Sequence, residues 1–327
     1  VRDDPAVQQP PPGFDATLLR PAAARFGVDA AVVRYAAVGF GDHHWTADDG
    51  SGGRWFLTVS DLIDKPHCGA EPLAALHGLR AAMDTAAELA ERLPFVVAPL
   101  RTPAGETVVA LDGRWALAAF PFLVAEPGPV DPAAVLDLLA DLHRTAVPGA
   151  APTIPVQPAG RADLDVALND SARPWAGGPY AESARAVLRE RAAALRAALA
   201  AFDADVPPWD TVLTHGEPHP DNLLRTAAAL SLLDWDTVGR APAERDLWHV
   251  LEPVPLAERG PLLDRYARRA GRRPDPRGIA WWARRWDVDE VGLYLAWFRA
   301  PHTRSPDSEI AWQALRESLD RLAPPGL

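Results

Sequence analysis

Strand-like and helix-like stretches are segregated along this chain, and that limits the fold more than any other feature. Up to Phe120 the sequence runs in short β-branched and aromatic segments. Val32-Val33-Arg34-Tyr35 leads into the Gly-rich turn Gly39-Phe40-Gly41-Asp42. Glycines 50, 52 and 53 then predict a hairpin into Arg54-Trp55-Phe56-Leu57-Thr58-Val59. Thr107 to Leu111 and Trp115 to Phe120 flank Asp112-Gly113, a dipeptide suited to a tight hairpin. Two helices break this pattern: Ala16 to Phe26, ended by Gly27, and about Glu71 to Leu93, with Leu76, Leu79 and Met83 near helical spacing.

After Phe120-Pro121-Phe122 the texture turns helical. Asp131-Pro132 opens a helix as cap and first residue, running to about Thr145. Pro148 to Gly160 has no periodicity, an Ala/Arg/Leu-rich helix covers about Tyr180 to Phe202, and helices with proline breaks follow Ala241. Two short strands, Thr211 to Thr214 and Leu230 to Leu233, interrupt this half. Strands followed by helices predict an α+β chain in two lobes. The expected division is a loose tail at 1–13, a β-rich N-lobe at 14–120 and a mostly helical C-lobe at 121–327.

Composition removes several function classes. A net charge of −11 argues against a nucleic-acid partner, which needs a basic footprint, and is permissive for a cationic substrate. Cys68 is the lone cysteine, so neither a disulfide framework nor a zinc site of paired thiolates is available. No run of 18 apolar residues occurs and the Pro-rich start lacks a signal peptide's apolar segment, so a cytoplasmic protein off the membrane is expected. Lys65 is the only lysine, so any chemistry that needs one must use it.

The chemistry sits between the two short strands of the second half. The loop reads Thr214-His215-Gly216-Glu217-Pro218-His219-Pro220-Asp221-Asn222, and Asp234-Trp235-Asp236 follows twelve residues on. An acid that reaches an acceptor hydroxyl, an amide oxygen five residues later for Mg2+, and a second acid beyond the next strand form the spacing of kinase catalytic and metal loops. Asp236 reads either as a ligand acting through water or as a solvated turn acid. A zinc site from His215, Glu217 and His219 needs a regular strand, which Pro218 and Pro220 disrupt.

This segment, with Leu232 to Leu247, resembles the aminoglycoside phosphotransferase family of small-molecule kinases, which is related to choline kinases and has a protein-kinase-like fold. The resembling residues are His215-Gly216-Glu217, Asn222, Asp234-Trp235-Asp236 and Asp246-Leu247. The resemblance implies that Glu217 is the catalytic base, that Asn222 and Asp234 are metal ligands, and that His215 and Asp246 support the loop. It also implies a phosphate-covering turn at Gly39, Phe40 and Gly41, and a hinge at Phe120 and Phe122 against which a nucleotide base stacks. Taken alone, the first segment is also a plain hairpin turn and the second a buried apolar linker.

The chain departs from the family at two positions. Glu217 stands where the family has aspartate, and Thr58 falls where the nucleotide lysine belongs. Lys65 lies seven residues later, so it folds back, or Arg54 or Arg80 steadies the phosphates, or nucleotide binds weakly.

Farther on, Ile279, Trp282, Trp286, Asp289, Glu290, Leu293 and Trp297 share one helical face. This stripe is either core with acids paired to Arg284 or Arg285, or a substrate wall of rings and carboxylates for amines. The expected activity is ATP- or GTP-dependent transfer of a phosphate to a hydroxyl of a small polar molecule, an antibiotic among the candidates. The alternatives are a metabolic kinase for an amino alcohol or sugar, and a pseudokinase.

Overall fold

The computed structural model describes residues 9–39, 41–206, 210–227 and 229–324. Phe40, residues 1–8 of the expected tail, and the last three residues lie outside them. Contacts divide the chain into two units that differ from a cut at residue 120. One comprises Val1–Ile154 and Asp210–Pro274, the other Pro155–Trp209 and Asp275–Leu327.

The first unit carries a five-stranded antiparallel sheet of β1 (Val32–Ala36), β2 (His43–Asp48), β3 (Arg54–Asp61), β4 (Val109–Ala110) and β5 (Trp115–Pro121), in the order β1-β2-β3-β5-β4. Alternation along β3 sorts its two faces. Leu57 and Val59 enter a core with Trp45, Trp115 and Leu117, closed by Leu19, Ala22 and Ala23 of α1 (Leu19–Ala24). Phe56, Thr58 and Ser60 face the other way, and Phe56 and Thr58 stand opposite Phe120 and Ala118 of β5. The expected strand over Thr107 to Leu111 shrinks to Val109–Ala110, and beyond it Asp112 Oδ1 accepts the N–H groups of Arg114 and Trp115 in the turn to β5.

The remainder of this unit is α2 (Pro72–Ala90), α3 (Pro132–Arg144), α6 (Glu244–Leu251), α7 (Leu256–Ala270) and two small strand pairs. In the pairs, β6 (Val212–Thr214) joins β9 (Gly239–Ala241), and β7 (Leu223–Arg225) joins β8 (Leu230–Leu232). α3 packs on α6 and α7, with Asp141 paired to Arg269 at its rim.

The second unit is helical: α4 (Arg161–Asp170), α5 (Ala181–Ala204), α8 (Pro276–Arg299) and α9 (Pro306–Leu322). Leu164, Leu188, Val288, Val291, Leu295, Phe298 and Leu315 are among the residues of its core. A cap residue followed by proline opens α3, α8 and α9, with Asp131, Asp275 and Ser305 each accepting a backbone N–H of the first turn. No helix among the described residues is long and apolar enough to cross a membrane.

Candidate active site

The loop that leaves β6 is held from beneath by buried polar groups. Asp246 of α6 accepts the N–H of His215 at 2.8 Å and that of Gly216 at 2.7 Å. His143 of α3 places Nε2 3.0 Å from the same carboxylate and Nδ1 2.7 Å from the Tyr266 hydroxyl. Burial disfavours the charge on Asp246, but the bond from His143 and the nearby Arg245 outweigh it and hold the carboxyl below the usual range. Arg245 donates to Thr214 Oγ1 at 2.8 Å and to the Thr237 carbonyl at 2.9 Å. At Gly216 φ is 109°, and a Cβ there would stand 2.3 Å from Arg245 Nη2, so only glycine fits.

His215 is fully buried. Its Nε2–H donates to the Leu233 carbonyl at 2.7 Å while Nδ1 accepts the Glu217 N–H at 3.2 Å. Burial pushes the imidazole down to about 4, so at neutral pH it is an uncharged pin between the two loops. Neither nitrogen is left for a metal, which disposes of the zinc arrangement. Asn222 donates from Nδ2 to the Glu217 carbonyl at 2.9 Å and lies 3.2 Å from His219 Nε2. The amide nitrogen is thus directed into the loop. Leu233 N–H donates to the Asn222 carbonyl at 2.9 Å, which sets Asp234 beside Asn222.

Asp234 is the one non-glycine residue with positive φ, 56°, among the described residues. Aspartate tolerates that region better than most side chains. Its side chain keeps an open face, while Asp236 two residues on is bonded to Lys65 and, at 3.1 Å, to His67 Nε2. Lys65 therefore does fold back from the loop after β3, and it also donates to Asp42 Oδ2 at 2.9 Å. Burial works against its charge, but Asp236 and Asp42 outweigh burial and keep the ammonium protonated. The two arginine candidates are engaged elsewhere: Arg54 lies against Asp48 and over the Phe122 ring, and Arg80 donates to the Val108 carbonyl.

These groups form one electrostatic cluster. Desolvation, then repulsion from Asp236, Asp42 and Glu217, raises the Asp234 carboxyl well above the usual range. Burial and Asp236 push the partly buried Glu217 up to about 7. Asp236 goes the other way, because Lys65 and His67 overcome its burial. Were all four carboxyl groups ionised around one lysine and one histidine, the excess negative charge would be relieved by a divalent cation. The oxygen donors suit Mg2+, which is held by one or two carboxylates and completes its shell with phosphates and water. Among the described residues, no group of three or more His, Cys, Asp or Glu side chains is arranged to hold a metal ion.

A sequence profile described as the phosphotransferase enzyme family matches residues 33–282. The chain belongs to that family. It is 31% identical over 171 residues to protein StrN of Streptomyces griseus, a match covering 48% of this chain and 47% of that protein. The chain thus spans about half the length of that curated relative. Among solved structures it is similar to spectinomycin phosphotransferase APH(9)-Ia in complex with ADP and spectinomycin, with 15% identity, a TM-score of 0.70, and 93% of this chain and 94% of that one covered. It is also similar to macrolide 2'-phosphotransferase MphH from Brachybacterium faecium, with 23% identity, a TM-score of 0.56 and coverage of 91% and 97%. These likenesses show the fold, α+β and protein-kinase-like.

The other expected site residues are placed as follows. Gly39 and Gly41 have φ of 75° and 90°, as a turn between β1 and β2 requires. Phe120 is half-buried on the face of Thr58. On α8, in the other unit, the core stripe is Trp281, Val288, Val291, Leu295 and Phe298. Of the expected stripe Trp282 is buried, while Trp286, Asp289, Glu290 and Leu293 are half-buried beside it. Asp289 accepts the Gly160 N–H at 2.7 Å and lies 3.9 Å from Arg285, which favours its paired, structural reading. Asp42, His67 and His143 were not among the expected site residues.

Asp246→Ala should destabilise the protein by about 3 kcal/mol or more, because it leaves buried donors unpaired. Thermal unfolding with and without nucleotide checks this. An unchanged midpoint would mean that Asp246 does not hold the loop.

Proposed function

We propose that this phosphotransferase transfers the γ-phosphate of ATP or GTP, with Mg2+, to a hydroxyl group of a small polar molecule. The observation that carries the reading is the grouping of Glu217, Asn222, Asp234 and Asp236 on two loops pinned together by His215, with Lys65 among them. In this reading Asn222 and Asp234 hold the metal, and Asp236 joins through water or by releasing Lys65. Bound there, Mg2+ supplies positive charge to the phosphate oxygens. Glu217 orients the acceptor hydroxyl and takes its proton as the new oxygen–phosphorus bond forms and the bond to the nucleoside diphosphate breaks. Lys65 supplies the cation that Thr58 does not, and the Phe56, Thr58 and Phe120 face of the sheet receives the nucleotide.

For the acceptor, the acidic net charge favours a cationic molecule. Spectinomycin and macrolide phosphotransferases among the similar structures support an antibiotic as the first class to try. The test is transfer of labelled γ-phosphate from ATP and GTP across aminoglycosides, peptide antibiotics, nucleosides and amino alcohols. Metal-dependent transfer to one class is expected. No transfer, together with no metal-dependent thermal shift by either nucleotide, overturns the reading.

A further inference from the structure

We propose that Asp42, in the Gly-rich turn, is a positioning residue that holds the Lys65 ammonium and thereby frees Asp236 for a divalent cation. The proposal rests on the phosphotransferase reading above and deepens it. Three contacts carry it. Lys65 Nζ donates to Asp42 Oδ2 at 2.9 Å, Ser60 Oγ donates to the same oxygen at 3.1 Å, and Lys65 also reaches Asp236. A single chain of polar contacts therefore runs from β3 through the Gly-rich turn to the metal loop.

In protein kinases a glutamate on a helix holds the nucleotide lysine. Here the acids within α2 are directed elsewhere, Asp84 to Arg101 and Thr107, and Glu88 to Arg92. The holding carboxylate comes from the turn instead, matching a lysine that arrives from a loop rather than from β3. Two carboxylates share this one ammonium. Without Asp42, Lys65 would keep Asp236 as its nearest anion and compete with any metal there. With it, Asp236 has an alternative: Asp42 Oδ1 is buried without a hydrogen-bond partner, a second acceptor onto which Nζ moves when Asp236 turns to a cation.

Lys65 is the only lysine, so amine acylation followed by peptide mapping reads it alone, apart from the chain's N-terminus. Asp42→Asn should speed acylation of Lys65. It should also raise the Mg2+ concentration for half-maximal binding of a fluorescent ADP analogue by about tenfold, the size of one charge-assisted hydrogen bond. Asp42→Glu should recover most of both. Ser60→Ala, which only loosens the orientation of Asp42, should move both the same way by less, and it serves where Asp42→Asn folds poorly. An Asp42→Asn protein with wild-type acylation and Mg2+ midpoint overturns the proposal. Faster acylation with an unchanged midpoint also overturns it, since Asp42 would then only support the fold. A wild type that binds no nucleotide at any Mg2+ concentration sinks the phosphotransferase reading instead.

Discussion

Asp234→Asn should lower phosphate transfer by about a thousandfold or more, on the scale of removing a preorganised charge from a transition state, and should also abolish the Mg2+ dependence of nucleotide binding. Asparagine is the sharper substitution because it keeps the shape and tolerates a φ of 56°, whereas alanine adds backbone strain of about 1 kcal/mol. The two variants should therefore agree in activity and differ in stability. Removing the charge also relieves repulsion with Asp236, Asp42 and Glu217, so the nucleotide-free Asp234→Asn protein should melt no lower than the wild type. Activity assays, thermal unfolding and nucleotide titration with and without Mg2+ check this. Retained metal-dependent binding in Asp234→Asn would remove Asp234 from the metal site.

What was legible in the sequence and what was not divides along a physical line. His215, Glu217, Asn222 and Asp234 stand at fixed separations within one short hairpin, a spacing that the sequence alone records. The α+β character was readable because strand and helix periods differ. Lys65 was recognisable as the only available lysine, but no pattern states where a loop after a strand will fold. Asp42 and His143 act across 23 and 103 residues of chain, through tertiary proximity that no local spacing records. Helix α4 carries little sequence signal, because Arg161–Asp170 has few apolar residues and is ordered by packing against α8. On α8 the tryptophans at 282, 286 and 297 lie on the half-buried face opposite the core stripe, while Trp281 lies with the core, so aromatic spacing picks out the face away from the core.

Glu217→Gln should cut turnover by about 10² to 10⁴ with little change in nucleotide affinity, since it keeps the size and removes the proton acceptor. An alcohol is far too weak an acid to lose its proton to a carboxylate before transfer. In a loose transition state the phosphoryl group is largely detached before the new bond forms, so the proton leaves late. In the proposed reaction Glu217 would therefore contribute orientation and a late proton acceptance, for which a carboxyl pushed up to about 7 is a better acceptor than an ordinary one. Glu217→Asp probes the geometry. The backbone at this residue is fixed on both sides: its N–H donates to His215 Nδ1, its carbonyl accepts from Asn222, and Gly216 before it is held at φ 109°. The backbone has no freedom to follow a shorter side chain. Withdrawing the carboxylate by about 1 Å should thus cost about a hundredfold in turnover, although it restores the residue usual in the family. Steady-state kinetics of the two variants, with nucleotide affinity measured separately, decide the matter. Full activity in Glu217→Gln would end the assignment of Glu217 as the base, and full activity in Glu217→Asp would show that the longer side chain is not adapted to this loop.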